Sequence, residues 1–395
     1  MNLVATNNRY LIPIFIIFIF VLDILNKFDY FEIPDSLGFL FIKAFKTFFI
    51  FLFFALISLK PFRANKSFYI FFLILFIIYL IGQISLYLSH NKPYFIDLYN
   101  LRYLALYFFP IIYVKYLNTY SIIDKRHYLL IENILIGIIA LNTILILCGA
   151  FFEISFFKTY GKNRWGYMGL MPRSITASYL TIISIFYLYI KYNLSKKYTY
   201  LFWFVIAGAL CIGTKSIYLF LILLFTYHFI SNKLYKNYKI YIFLSLLVGT
   251  VVLFSNFILK NIVNNFFSIH LNLYKEKGFL TSLSSFRYDI FWENLNFVKT
   301  NWAAINYFFG GFIPDTKMFE NSLADLIVFF GFGGAFLYLF YFWKNWVNQK
   351  LLIFKLFIFA TFLISILAGQ FFMNISAIAY FALMYNLLNC NKKVI

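Results

Sequence analysis

Between Lys260 and Ser322 an otherwise apolar chain turns polar, and its best candidates for chemistry fall there or just beyond. In order come Ser284-Ser285-Phe286-Arg287-Tyr288-Asp289, then Gly310-Gly311, then Glu320-Asn321, with Asp325 about one turn into the next apolar run. After Arg287, the residues Phe291, Leu295, Val298 and Trp302 recur at helical spacing, while Asp289, Glu293 and Lys299 fall mainly elsewhere. This pattern predicts an amphipathic helix on a membrane surface or over a cavity, with Ser284 or Ser285 as its N-cap. The helix dipole opposes a cation in the first turn, so Arg287 needs another partner. A phosphate would suit its planar fork; so would a carboxylate such as Asp289 or Glu293. Glu320 stands at the edge of an apolar run, where a carboxylate is costly unless it is paired or used. It either caps that run or acts as a general base on a hydroxyl.

A second set of charges, Lys158, Lys162, Arg164 and Arg173, lies between two apolar runs. Those cations would meet either an anionic substrate or lipid headgroups. Gly310-Gly311 followed by Pro314 predicts a tight turn back towards the membrane. Gly331, Gly333 and Gly334 lie inside an apolar run and predict close helix packing, not phosphate binding. His90 and His270 have no partner at ligand spacing, and the sequence carries no metal or nucleotide motif. A reaction here would therefore need a donor that arrives already activated, with no cofactor.

The elements that must position these residues are set by composition. Hydrophobic residues make up 63% and charged residues 12% of the chain, and the mean hydropathy is +0.82. A soluble domain of this length cannot hide so much apolar surface, so the bilayer must solvate most of it. The net charge of +20 comes in small clusters between apolar runs, which argues against nucleic acid as a partner. Part of the 24% aromatic content serves interfacial belts. Cys148, Cys211 and Cys390 lie in or at the ends of apolar runs and suggest neither disulfides nor zinc.

Runs long enough to span, about 20 residues each, fall at 11–25, 38–59, 68–89, 101–117, 129–151, 174–192, 198–212, 216–231, 238–259, 323–343, 351–370 and 373–389. The first has no cleavage site after it and is expected to be retained. With the N-terminus inside, the lysines and arginines of every short loop obey the positive-inside rule, and both termini are cytoplasmic. The four cations before the sixth span are the exception. The expected fold is all-α: a polytopic integral membrane protein of about twelve transmembrane helices with one long outer loop. It divides into helices 1–9 at 1–259, an outer catalytic loop at 260–322, and helices 10–12 with the C-terminus at 323–395.

In this order the motifs resemble the O-antigen polymerase and ligase superfamily. Arg287 opens a helix containing a Trp, Gly310-Gly311 follows, and Glu320-Asn321 with Asp325 precedes a helix holding Phe330-Gly331 and Gly334. Upstream, Gly161, Arg164-Trp165-Gly166 and Pro172 resemble the outer segment before the sixth helix, and Gly213-Thr214-Lys215-Ser216 the short hairpin that usually carries a Ser-Arg step. Ligases carry a His-Asn pair where Glu320-Asn321 stands, so the resemblance leans to the repeat-unit polymerases. Lys215 in place of Arg keeps the charge and loses the bidentate fork.

The resemblance implies a metal-independent glycosyltransferase at the outer face of a bacterial inner membrane. It would join undecaprenyl-diphosphate-linked oligosaccharides into O-antigen or capsule. Glu320 would act on the acceptor hydroxyl; Arg287, Arg164, Arg173 and Lys215, with Lys162 nearby, would neutralise the leaving diphosphate. Asn321, Asp325 and Arg102 are further candidates for substrate contact. A flippase and a chain-length regulator are the protein partners it suggests. The alternatives are a ligase that moves polymer onto a lipid acceptor, a lipid-linked oligosaccharide flippase or transporter, and a peptidoglycan-type polymerase.

Overall fold

The computed structural model describes residues 10–32, 37–59, 62–90, 97–120, 125–159, 165–238, 274–276, 278–284, 287–313, 319–347 and 352–394. The apolar runs fold as helices, because hydrocarbon offers no water to the backbone N–H and C=O groups. The long helices are α1 (Leu11–Glu32), α2 (Leu37–Ser58), α3 (Phe62–His90), α4 (Leu98–Thr119), α5 (Lys125–Phe152) and α6 (Ser174–Ser195). Then come α7 (Thr199–Leu210), α8 (Lys215–Ser231), α9 (Phe279–Ser284), α10 (Arg287–Asn301) and α11 (Ala304–Phe309). The last are α12 (Ser322–Phe342), α13 (Leu352–Ala368) and α14 (Ile375–Val394). Every span expected from the sequence coincides with one of these, save 238–259, which beyond Tyr238 lies outside the described residues. Among the described residues the only β pairing is one isolated bridge between Lys158 and Tyr167.

Of these helices 6 are long and apolar enough to cross a membrane (α1, α2, α3, α5, α6 and α12). Shorter apolar helices are α7, α8, α13 and α14. The chain is a helical membrane protein, and the way its apolar surface is distributed explains the layering. α6 is 89% buried within the protein and has a mean hydropathy of only 1.3, whereas α5 reaches 2.6 and is 39% buried. A helix surrounded by other helices can carry Thr176, Ser178, Thr181 and Ser184, because protein and not lipid receives them; all four are buried. α14 packs against α1, α4 and α6, and nearly all its described side chains are buried. α6 and α14 therefore form the interior of the bundle. Much of the aromatic content fills the core: Phe15 of α1 meets Phe49, Phe53, Phe109 and Tyr113.

Part of the polar interval packs into the bundle. Its second half, α11 and the residues to Ile313, packs between α3 and α12. Asn306 is fully buried; its Nδ2 donates to the carbonyls of Gly82 (2.9 Å) and Gly310 (2.7 Å), and its Oδ1 accepts from Ser85 (2.9 Å). The insertion forces a break in α12 at Gly331, whose φ of 68° and ψ of 178° are non-helical. This is a backbone region open essentially to glycine alone, and a Cβ there would overlap the Phe308 carbonyl. The break frees the Val328 carbonyl from its helical partner, and Gly311 N–H donates to it at 2.9 Å. Gly310-Gly311 does turn the chain towards the apolar region, as expected, but the turn is buried against α12. Gly331 serves as this kink, which goes beyond the close packing expected of it.

At the opposite end of the bundle, where α5 starts and α6 finishes, Glu132 is buried between two lysines. Lys191 Nζ lies 2.8 Å and Lys197 Nζ 3.3 Å from its carboxylate oxygens. Tyr187 Oη also donates to Glu132, at 2.6 Å. The carboxylate is thus fully partnered, as a buried charge must be.

Candidate functional site

Short polar ties hold the chain that enters α12. Asn321 is the N-cap, accepting at 3.1 Å from the N–H groups of both Leu323 and Ala324. The cap is therefore Asn321, and Glu320 is released from the capping role that the sequence allowed it. Asp325, buried one turn on, accepts from Phe319 N–H at 2.7 Å and pulls the preceding residues against the helix. Ser322 Oγ accepts from Phe371 N–H at 2.9 Å, which joins this entry to the α13–α14 junction. Gly369 lies under the carbonyl of Glu320, and Tyr179 Oη donates to the Gly369 carbonyl at 2.9 Å. Between these ties Glu320 is held at φ 52°, in the left-handed region. Such conformations cost about 1–3 kcal/mol and persist only where the surroundings enforce them.

That backbone directs the Glu320 side chain to Arg287. Arg287 Nε lies 3.3 Å from Glu320 Oε2, with side-chain exposures of 27% and 43%. Nε makes no well-directed hydrogen bond, so the contact is one of charge and leaves the carboxylate oxygens free to accept from a hydroxyl. The helix expected after Arg287 is present as α10, with Val298 and Asn294 buried and Phe291 and Leu295 half-buried. The partner of Arg287 is neither Asp289 nor Glu293. Asp289 instead accepts from Thr281 Oγ1 at 3.0 Å. The dipole problem at Arg287 is met by a carboxylate brought from a separate part of the chain.

Next to the Gly369 that supports the Glu320 backbone, Gln370 enters the lining of a cavity of about 130 Å³, together with Lys43, Lys46, Arg102, Arg173 and Asp23 among others. Gln370 follows the Gly369 that supports Glu320, so the α13–α14 junction is a wall common to both features. Arg102 comes from the first turns of α4 and Arg173 from the residue preceding α6. The two guanidinium groups are near enough to oppose each other's charge. Neither has a carboxylate partner among the described residues. In the same lining, Lys46 of α2 pairs with Asp23 of α1 at 2.5 Å, and Ser376 Oγ donates to the same carboxylate oxygen at 3.0 Å.

The other expected site residues are distributed less simply. Lys162 and Arg164 lie outside the described residues. Lys215 Nζ donates to the Ser282 carbonyl at 2.8 Å, which ties the start of α8 to α9. His90 Nε2 meets the Asn301 carbonyl at 3.1 Å and anchors the end of α10. Sequence reasoning passed over Lys43, Lys46 and Asp23, because each sits inside an apolar run. The signal was present: an ionisable residue within a span is itself a pointer to function.

The chain matches no protein-family model, no curated protein and no solved structure.

Proposed function

We propose that this protein is a membrane-embedded glycosyltransferase that extends a surface polysaccharide from lipid-diphosphate-linked oligosaccharides. The observation that carries the reading is the placement of Glu320. A strained, half-exposed carboxylate is held by a guanidinium, and its backbone rests on Gly369, whose neighbour Gln370 lines a cavity with two arginines that have no carboxylate partner among the described residues. In the reaction the acceptor hydroxyl attacks the anomeric carbon of the donor sugar. The new C–O bond forms as the bond from that carbon to the diphosphate oxygen breaks. Glu320 takes the hydroxyl proton, and the lipid diphosphate leaves with the bonding electrons.

Arg287 orients the carboxylate. Arg102 and Arg173 face the diphosphate, where negative charge builds as the bond breaks and where fixed cations help most. Asn321 and Asp325 act indirectly, by holding the backbone that presents Glu320. In this reading the chain crosses a bacterial inner membrane about twelve times with both termini in the cytoplasm, and this end of the bundle faces outward.

The test is a gel ladder of surface polysaccharide from a deletion strain carrying variant genes. Wild type restores the ladder; Glu320→Gln and Arg173→Ala leave single repeat units on the final acceptor while the protein still inserts. Unattached long polymer would point to a ligase, and repeat units trapped on the inner leaflet to a transporter. Normal chain length in Glu320→Gln would end the proposal.

A further inference from the structure

A second, much smaller cavity lies where α10, residues 311–313 and the first two turns of α12 meet. Its volume is about 10 Å³, room for one oxygen-sized group. Two of its lining side chains end in a buried polar atom with no hydrogen-bond partner among the described residues, Asp325 Oδ2 and Asn294 Nδ2. Asp325 is 1% and Asn294 7% exposed, so water outside the protein does not satisfy them. Buried polar atoms left in this state are rare and costly, and each calls for an explanation. Asp325 Oδ1 is already committed to Phe319 N–H; Oδ2 is the oxygen left over.

The two atoms select the chemistry of their ligand. A cation would suit the carboxylate but not the amide N–H group, and a phosphate the reverse. A hydroxyl donates to one and accepts from the other. The rest of the lining is mainly apolar and aromatic, including Phe297, Trp302, Phe312 and Phe319. Trp302 Nε1 donates to the Gly311 carbonyl at 3.0 Å, which fixes the indole. Apolar walls with a few convergent polar groups are the usual build of a small-molecule subsite. Phe319 directly precedes Glu320, and the carboxylates of Glu320 and Asp325 are near enough to feel each other's charge.

We propose that this cavity is a saccharide subsite. One hydroxyl of the acceptor sugar, other than the one that reacts, donates to Asp325 Oδ2 and accepts from Asn294 Nδ2. The space admits that hydroxyl alone, so the ring stays outside it, against the half-buried Phe297 and Trp302. That the sugar is an acceptor rests on the transferase reading; the hydroxyl chemistry follows from the two unpartnered atoms. A water molecule offers the same chemistry, and the experiment separates the two sources.

The test is binding of the oligosaccharide repeat unit, prepared by partial hydrolysis of the wild-type strain's surface polysaccharide, to the purified full chain in phosphatidylcholine nanodiscs. Saturation-transfer NMR follows the titration, with melting measured on the same preparations. Asp325→Asn keeps an oxygen for Phe319 N–H and should weaken binding about tenfold or more, the loss of a contact to a charged acceptor. Asn294→Leu replaces an unpaired amide in a mainly apolar lining, so it should fold and bind severalfold more weakly. The double variant should be little worse than Asp325→Asn, because both contacts go to one hydroxyl. Wild-type affinity in both single variants, with only the melting transition moved, would mark a structural water and overturn the subsite. Weakened binding in both, together with a normal polysaccharide ladder in Glu320→Gln, would bring down the transferase reading and leave the subsite standing. Wild-type binding in both, with the ladder lost in Glu320→Gln, would do the reverse.

Discussion

Replacing Arg287 by Ala separates a working pair from a structural one. The Arg287–Glu320 contact is 3.3 Å, with side chains 27% and 43% exposed and no well-directed hydrogen bond from Nε. Solvent reaches both partners, so the pair belongs with exposed ion pairs and contributes about 0–1 kcal/mol to stability. Arg287→Ala should therefore leave the melting transition of the detergent-purified protein nearly unmoved. Its effect on transfer should be far larger. A positioned general base is worth about 10²–10⁴ in rate, and a carboxylate released from its guanidinium loses much of that positioning. Glu320→Gln removes the base directly and should match or exceed the loss. Because the two side chains act as one unit, the double variant should be little worse than Glu320→Gln alone. The assay is chain extension on gels with melting measured on the same preparations. A fall in melting temperature matching that of a buried-charge variant, in step with lost extension, would make the pair structural. Normal extension by Arg287→Ala would refute the assignment outright.

Three further outcomes follow from the same geometry. Glu132→Gln leaves Lys191, whose side chain is 4% exposed, without its charge partner, and should cost about 3–5 kcal/mol. Lys197→Ala, at 46% exposure, should cost less than about 1 kcal/mol, and thermal unfolding of both variants checks the contrast. Gly331→Ala puts a side chain at φ 68° against the Phe308 carbonyl and should destabilise the bundle by on the order of 3 kcal/mol. Wild-type melting would mean that α11 is not seated in the kink. Asn321→Ala removes the α12 cap at a cost of about 1 kcal/mol. It should lower chain extension more than that loss of stability explains, because the same turn fixes the backbone of Glu320.

The sequence by itself determined the helices and the solvent they require. Run length and hydropathy report directly on the demand that a backbone in lipid satisfy itself. The periodicity of Phe291, Leu295 and Val298 likewise announced α10. What it left open were the partners of the charged residues, because ion pairing is decided by where separate segments meet. Arg287 was expected to find a phosphate or a carboxylate of its own helix; the structure brings it Glu320 from the entry to α12. The capping of α12 turned on one residue, Asn321 in place of Glu320, a distinction of backbone angle invisible in composition. The interior position of α6 and α14 also came only from tertiary packing, since buried and lipid-facing helices are both apolar and differ mainly in which neighbours cover them. The same packing gathers Lys43, Lys46, Arg102 and Arg173 from three parts of the chain around one cavity. A linear pattern records the charges, and only the fold decides which of them share a space.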